Sequence, residues 1–294
     1  MKPVKKIAIV SPSVMLSDRD FNEALWKPYF ETMEIEVVVM PSAYQGRILE
    51  TFQAKNKAED IMKAYEDKSI DALVALHGGA SALRTLEYLD YGVIQKHNKP
   101  IIGFSDTTSL QLAVFAKTGN PYVTGFLPEY DFRGGRINPT VDKGLKAALS
   151  GQEFEAKSGV CVHEGTVEGV LIGGNMSTLS DLSGTPYYPD LTDKILLLED
   201  ECEVSYKLKL MLTQLKYNPT FKGVKGIVFG RFSQCKDHAT HGSVESVVED
   251  FAAQVNVPTI KSFNYGHFKK RLVLTCGVKY RLDAAKASLK QIDG

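Results

Sequence analysis

The sequence predicts an α/β protein of two domains, the first built on a parallel sheet. Three observations carry this expectation. Short β-branched runs alternate with segments of helical periodicity through the first half of the 294 residues. Those runs end in Gly, Pro or Ser, the pattern of strands covered on both faces. Past about residue 135 the texture shifts to strands with fewer helices between them, in a chain near the size at which one core divides into two.

In order, "KIAIVSPS", "IEVVVMP", "DALVALHGG" and "KPIIGFSD" read as buried strands. "NKAEDIMKAYEDKS" before the third strand and "ALRTLEYLDYGVIQKHN" after it place apolar residues at helical spacing. Strand and helix in alternation mean parallel pairing with right-handed crossovers, and ligands of such sheets gather outside the carboxyl ends of the strands. The polar tails Ser11-Pro12-Ser13, His77-Gly78-Gly79 and Ser105-Asp106 all fall at those ends. "GGRINPTVDKGLKAALSGQEFEAKSG" is polar and turn-rich, and "VEGVLIGGN", "DKILLLEDE", "VKGIVFGRF" and "RLVLTCGV" then supply further strands. The expected division is an N-terminal domain over 1–140, a linker over 141–160 and a C-terminal domain over 161–294.

Lysine plus arginine balance aspartate plus glutamate at 35 each, so no net field recommends nucleic acid or an anionic membrane as partner. Cys161, Cys202, Cys235 and Cys276 show no CxxC pair and no histidine at zinc spacing, which suits free thiols in a reducing compartment and no metal. The basic N-terminus leads into an apolar run of only Ile7–Val10, broken by Ser-Pro-Ser, too short for an export signal. No stretch reaches the roughly 18 apolar residues of a transmembrane helix. The expectation is a soluble cytoplasmic protein without a cofactor.

The stretch "GFSDTT" carries the first chemical question. A serine between a strand and a helix exposes its Oγ at the strand tip and sets the following N–H groups at a helix N-terminus, where negative charge is favoured. Ser105 fits that position, but the second glycine of a nucleophile elbow is replaced by Thr107. A residue of "SDT" capping the helix is the plainer alternative.

A nucleophilic serine needs a base and a group to orient it. Of six histidines, His97, His238 and His241 lie in polar loops, and His163 alternates with valines on a strand. His267, in "FNYGHFKK", occupies a glycine-containing turn, a better place from which to reach a cleft. For the acid, the run Ile195–Leu198 feeds into Glu199, Asp200 and Glu201, and period two puts Glu199 and Glu201 on one face with Asp200 on the other. The diglycines Gly78-Gly79 and Gly173-Gly174, the latter followed by Asn175, can bring backbone N–H groups close to a ligand or simply make tight turns. Neither has a phosphate-loop context.

In the order "HGGASALRTLEYLDY", "KPIIGFSDTTSLQLAV", "GVLIGGNMSTLSDLSGTPYYPDL", "KILLLEDECEVSYKLKLMLTQL", "GIVFGRF" and "FNYGH", spanning Ala8 to about Gly277, the chain resembles the LD-carboxypeptidase family of serine peptidases, which includes the microcin immunity proteins. The resemblance implies a flavodoxin-like or amidotransferase-like N-terminal α/β domain and a smaller β-rich C-terminal one. It implies a triad of Ser105, Glu199 and His267, with an oxyanion hole from the backbone of Gly79 and Asp106. Gly78, Gly174 and Asn175 are implied to border the substrate. It further implies removal of a terminal D-amino acid from a small peptide such as a murein tetrapeptide, with no metal and a homodimeric, cytoplasmic protein. An immunity-type amidase acting on a peptide-nucleotide or acyl-sulfamoyl adenylate, and a non-catalytic muropeptide binder, are the alternatives. The chain departs from many members in having His77 where they have arginine, Ala80-Ser81 where they have Tyr-Gly, and Lys207-Leu208-Lys209-Leu210 after Tyr206.

Overall fold

The structure, a computed structural model, describes residues 3–13, 22–44 and 51–292. Its strands are β1 (Lys6–Val10), β2 (Glu36–Val39), β3 (Ala72–Ala75), β4 (Ile101–Gly103), β5 (Tyr122–Thr124), β6 (Glu155–Lys157), β7 (Val160–His163), β8 (Thr166–Asn175), β9 (Lys194–Glu201), β10 (Gly226–Ser233), β11 (Thr259–Lys261), β12 (Leu274–Cys276), β13 (Lys279–Asp283) and β14 (Ser288–Gln291). The α-helices are α1 (Lys27–Glu31), α2 (Thr51–Glu66), α3 (Tyr91–His97), α4 (Thr107–Thr118), α5 (Pro128–Asp131), α6 (Pro139–Leu149), α7 (Met176–Asp181), α8 (Ser205–Tyr217) and α9 (Val244–Val255). Two compact units form, one of Met1–Gln152, Gly184–Pro189 and Val273–Thr275, the other of Glu153–Ser183, Asp190–Leu272 and Cys276–Gly294.

The first unit holds a six-stranded sheet in the order β12-β5-β4-β3-β1-β2, with β1 to β5 paired in parallel. Ile7–Val10 and Ala72–Ala75 are wholly buried, as strands covered on both faces must be, and each large aliphatic side chain so buried contributes about 2 kcal/mol. β2 differs from its expectation: it is the sheet's last strand and Val37, Val38 and Val39 stay partly exposed. An apolar run reads alike whether or not a further strand covers it. The helix expected over "ALRTLEYLDYGVIQKHN" is broken into a 3₁₀ helix, Ala82–Tyr88, and α3. The break falls where Asp90 Oδ1 accepts from the N–H groups of Gly92 and Val93, at 2.9 and 3.1 Å, offering the backbone a local cap. Gln111 of α4 then ties its helix to the sheet by donating to the carbonyls of Ile101 and Val123.

The second unit holds an eight-stranded mixed sheet, β6-β14-β13-β8-β9-β10-β11-β7. β8, β9, β10 and β11 run parallel at its centre, while β13, β14 and β6 on one side and β7 on the other are antiparallel. The stretch 141–160, expected as a linker, carries most of α6 together with β6. Asn138 caps α6 through the Thr140 N–H and Pro139 opens it, so a polar composition here marks helix ends rather than free chain. Leu274–Cys276, expected in the C-terminal domain, instead joins the six-stranded sheet, and Val273 packs in the first unit's core. Among the described residues, no helix is long and apolar enough to cross a membrane.

Candidate active site

Ser105 follows β4 with φ at +63°, a left-handed conformation that a non-glycine residue adopts only where its surroundings impose it. Two glycines create the space for it. A Cβ on Gly103 would stand 2.4 Å from Thr107 Cγ2, so the strand can turn into α4 this tightly only without a side chain there. A Cβ on Gly78 would stand 3.0 Å from Ser105 Cβ and 3.1 Å from Ser105 Oγ, which places the loop after β3 directly against the serine. Thr108 N–H closes the turn onto the Ser105 carbonyl at 2.8 Å.

Neither Asp106 nor Thr107 caps α4 through its side chain. Asp106 occupies the N-cap position of α4 but makes no side-chain cap bond. Its buried carboxylate instead accepts from the Ala82 N–H at 3.0 Å, joining the loop after β3 to the serine turn. Thr107 Oγ1 is buried and caps nothing among the described residues.

At the base of the same loop the Ser11 and His77 strand tails, expected at one sheet edge, meet in a buried polar cluster whose third member, Lys57, the sequence pattern does not announce. Lys57 of α2 donates from Nζ to the carbonyls of Ser11 and Ser13, at 2.7 and 3.0 Å, and to Ser11 Oγ at 3.1 Å. Ser11 Oγ is 3.1 Å from His77 Nε2, and His77 Nδ1 is 2.6 Å from the carbonyl oxygen of Gly78. Burial pushes the His77 pKa down to about 4, assisted by the charge of Lys57 and opposed by the Gly78 carbonyl. Burial likewise lowers that of Lys57 to about 8.

In the second unit, β9 delivers Glu199 with no exposed surface at all. Its Oε2 lies 2.7 Å from His267 Nδ1. The histidine stands on a loop whose neck is closed by the Leu272 N–H donating to the Asn264 carbonyl at 2.7 Å. Gly266 makes the final approach, at φ +131° and with the position of an added Cβ only 3.2 Å from Glu199 Oε2. With Nδ1 donating to Glu199, the neutral ring keeps Nε2 as a proton acceptor. Glu201 Oε2 lies 3.6 Å from that nitrogen, so Glu199 and Glu201 share a face as the strand period demands. Burial alone would lower the pKa of His267, but Glu199, by charge and hydrogen bond, and Glu201 outweigh it against the opposing Arg271, leaving it raised.

Asn175, at the end of β8, sits in register with Glu199. One Nδ2 serves both neighbouring carboxylates, donating to Glu199 Oε1 at 3.2 Å and to Asp200 Oδ1 at 3.0 Å, while its Oδ1 caps α7 through the Thr178 N–H. The amide thereby bridges the two acids. Asp200 also accepts from the Ser177 N–H and hydroxyl, yet burial dominates and lifts its pKa to about 6. Gly174 is buried beside Asn175, and its neighbour Gly173 presses on β9, where a Cβ would meet the Leu197 carbonyl oxygen at 2.0 Å. Of the other histidines, His163 pairs with Asn256, while His238 packs edge-on and His241 tilted against Tyr206. Among the described residues no cluster of His, Cys, Asp and Glu has a metal-binding arrangement, and all four cysteines are free.

A strained serine at a strand tip in one α/β unit, and a buried carboxylate–imidazole pair at a strand tip in the other, are parts used by serine-type hydrolases. Residues 7–125 match the N-terminal domain, and residues 168–282 the C-terminal domain, of LD-carboxypeptidase. The chain belongs to the LD-carboxypeptidase family, a family of serine-type carboxypeptidases. It is 29% identical to the murein tetrapeptide carboxypeptidase of Pseudomonas aeruginosa, over 72% of each chain. It is 24% identical to the microcin C7 self-immunity protein MccF of Escherichia coli, over 78% of this chain and 76% of that one. The crystal structure of muramoyltetrapeptide carboxypeptidase from Oxalobacter formigenes superposes with a TM-score of 0.86 at 25% identity, covering 97% of this chain and 99% of that one.

Proposed function

We propose that the protein is a serine carboxypeptidase that hydrolyses the bond between an L-configured centre and a terminal D-amino acid, releasing D-Ala from a murein tetrapeptide during cell-wall recycling. In this reading His267 Nε2 takes the proton of Ser105 as Oγ attacks the scissile carbonyl, and Glu199 holds the imidazole oriented and stabilises its charged form. The N–H groups of Gly79 and Asp106 receive the oxyanion, each such donor being worth about 3 kcal/mol. His267 then gives its proton to the departing amine, and water attacks the acyl-serine to release the shortened peptide. The buried Glu199–His267 pair, 2.7 Å apart, is the observation that carries the reading, since an imidazole whose Nδ1 is so held keeps Nε2 as its basic nitrogen and has a raised affinity for a proton. The same reading includes a cytoplasmic homodimer, which sedimentation of the purified protein tests.

Incubation with L-Ala-γ-D-Glu-meso-diaminopimelate-D-Ala, with free D-Ala measured, is the deciding experiment. Release by the wild type, lost in Ser105→Ala and His267→Ala, is the expected result; release unaffected by Ser105→Ala sinks the mechanism. The likeness to MccF supports a second reading, hydrolysis of a peptide-nucleotide or acyl-sulfamoyl adenylate, which the same assay tests with aspartyl sulfamoyl adenosine, a ligand held by MccF, in place of the peptide. Trp26 is buried and gives such a ligand no exposed indole to stack on. A protein that binds the tetrapeptide but turns over neither compound is a non-catalytic binder.

A further inference from the structure

We propose that His77 is a positioning residue for the oxyanion donor: by holding the Gly78 carbonyl through Nδ1–H, with Ser11 fixing the tautomer, it sets the direction of the Gly79 N–H beside Ser105. This inference rests on the proposed serine mechanism and adds to it a residue outside the triad. All the groups involved lie in the first unit.

The geometry leaves one arrangement of protons. The Gly78 carbonyl can only accept, so His77 Nδ1, 2.6 Å away, carries the hydrogen. Nε2 of the neutral ring is then an acceptor and takes the Ser11 hydroxyl hydrogen at 3.1 Å. The competing acceptor of that hydrogen, the Ser13 carbonyl, is farther off at 3.4 Å and already receives Lys57. Lys57 Nζ completes the chain by donating to Ser11 Oγ. A charged ring would put two cationic donors on one hydroxyl, and burial together with Lys57 opposes that. Ser11, Lys57 and His77 are all more than nine-tenths buried, so water does not replace these bonds cheaply.

The consequence reaches Ser105 through one rigid peptide plane. The bond between Gly78 and Gly79 is trans, so its carbonyl and its N–H point in opposite directions. Fixing the Gly78 oxygen on His77 therefore aims the Gly79 N–H away from the histidine. The plane begins at a Cα packed against Ser105, whose Oγ would lie 3.1 Å from a Cβ at that position. Gly79 itself has φ at +138°, and two flexible glycines without an anchor would lose this direction. Among the described residues, none accepts a hydrogen bond from the Gly79 N–H.

The test pairs two amides that mimic the two ring nitrogens. His77→Asn keeps a donor near the Nδ1 position, whereas His77→Gln places its amide near Nε2, and His77→Leu has neither. Using the full-length protein and the tetrapeptide, His77→Asn should retain kcat within about tenfold, while Gln and Leu should lose about 10²-fold in kcat with KM little changed, the loss expected for one oxyanion donor. Nitrogen-15 spectra of imidazole-labelled protein at pH 7 should show His77 as the Nδ1–H tautomer, and Ser11→Ala should admit the other tautomer. An Nε2–H tautomer in the wild type overturns the proposal, as do wild-type kcat in a folded His77→Leu or equal losses in Asn and Leu. If Ser105→Ala releases D-Ala as fast as the wild type, the serine mechanism itself falls, an outcome distinct from a wild-type rate in His77→Leu with Ser105→Ala inactive.

Discussion

His267 Nδ1 donates to Glu199 Oε2 across 2.7 Å, and Glu199 has no exposed surface. Because the pair raises the pKa of His267 above the ordinary imidazole value of about 6.5, the ring must lose a proton at higher pH before it can act as a base. The acid limb of kcat/KM for D-Ala release should lie above pH 6.5. Glu199→Gln should move that limb to lower pH and reduce kcat by up to about 10⁴-fold. Linkage gives the matching stability profile: with the folded value above the unfolded one, the pair's stabilisation is complete below about pH 6.5 and fades as pH rises through the folded pKa. Melting curves of wild type and Glu199→Gln across that range check this, and an unmoved acid limb counts against the assignment.

Gly78→Ala puts a methyl carbon within about 3 Å of Ser105 Oγ. The serine must give by a few tenths of an ångström, and since a misplacement of about 1 Å at a reacting atom costs about 10²-fold in rate, a loss of up to about tenfold follows. The expected outcome is a kcat reduced by that factor with the melting temperature nearly preserved, read by steady-state kinetics and calorimetry.

Gly103→Ala acts on folding instead. Its Cβ would meet Thr107 Cγ2 at 2.4 Å, and relief requires the turn between β4 and α4 to open. Overpacking of this kind costs about 1–3 kcal/mol. Urea titration should show the loss, and Gly103→Ala/Thr107→Ser, which removes the clashing methyl but leaves Thr107 Cβ at 2.8 Å, should recover only part of it.

Asn175→Ala leaves Glu199 Oε1 and Asp200 Oδ1 without their shared donor and should cost about 1–3 kcal/mol. Asp200 contributes a separate pH window. Its folded pKa of about 6 lies above the unfolded value near 4, so stability falls as pH rises between the two, by an amount on the order of 3 kcal/mol. Asp200→Asn should flatten the stability profile between about pH 4 and 6 while leaving the His267 window above it intact, which denaturant titrations at stepped pH will show.

What could be read from the sequence follows from what a strand pattern encodes. Buried runs that stop in polar residues placed Ser105, Glu199 and the His77 loop at strand tips, and alternation put Glu199 and Glu201 on one face. The partners of those residues depend on pairing between distant segments. Asn175 reaches Glu199 only because β8 and β9 align in register, and nothing in "GGN" announces that. Lys57 lies on a helix whose amphipathic pattern gives no sign that one cation is drawn inside, where it meets Ser11 at the end of β1 and, through it, His77 after β3. The break at Asp90 and the edge position of β2 were hidden for related reasons, since a cap and a missing neighbour both leave the apolar spacing unchanged.

The placement of β12 in the sheet of the first unit has a consequence for how the chain is made. The N-terminal unit holds the nucleophile candidate, yet the strand that borders β5 leaves the ribosome only after β6 to β11 of the second unit have been synthesised. Until then the β5 edge has open backbone groups, a template for wrong pairing. The chain returns to the first unit twice after leaving it, at Gly184–Pro189 and at Val273–Thr275, and a gene fragment ending after Gln152 would encode a sheet lacking its border.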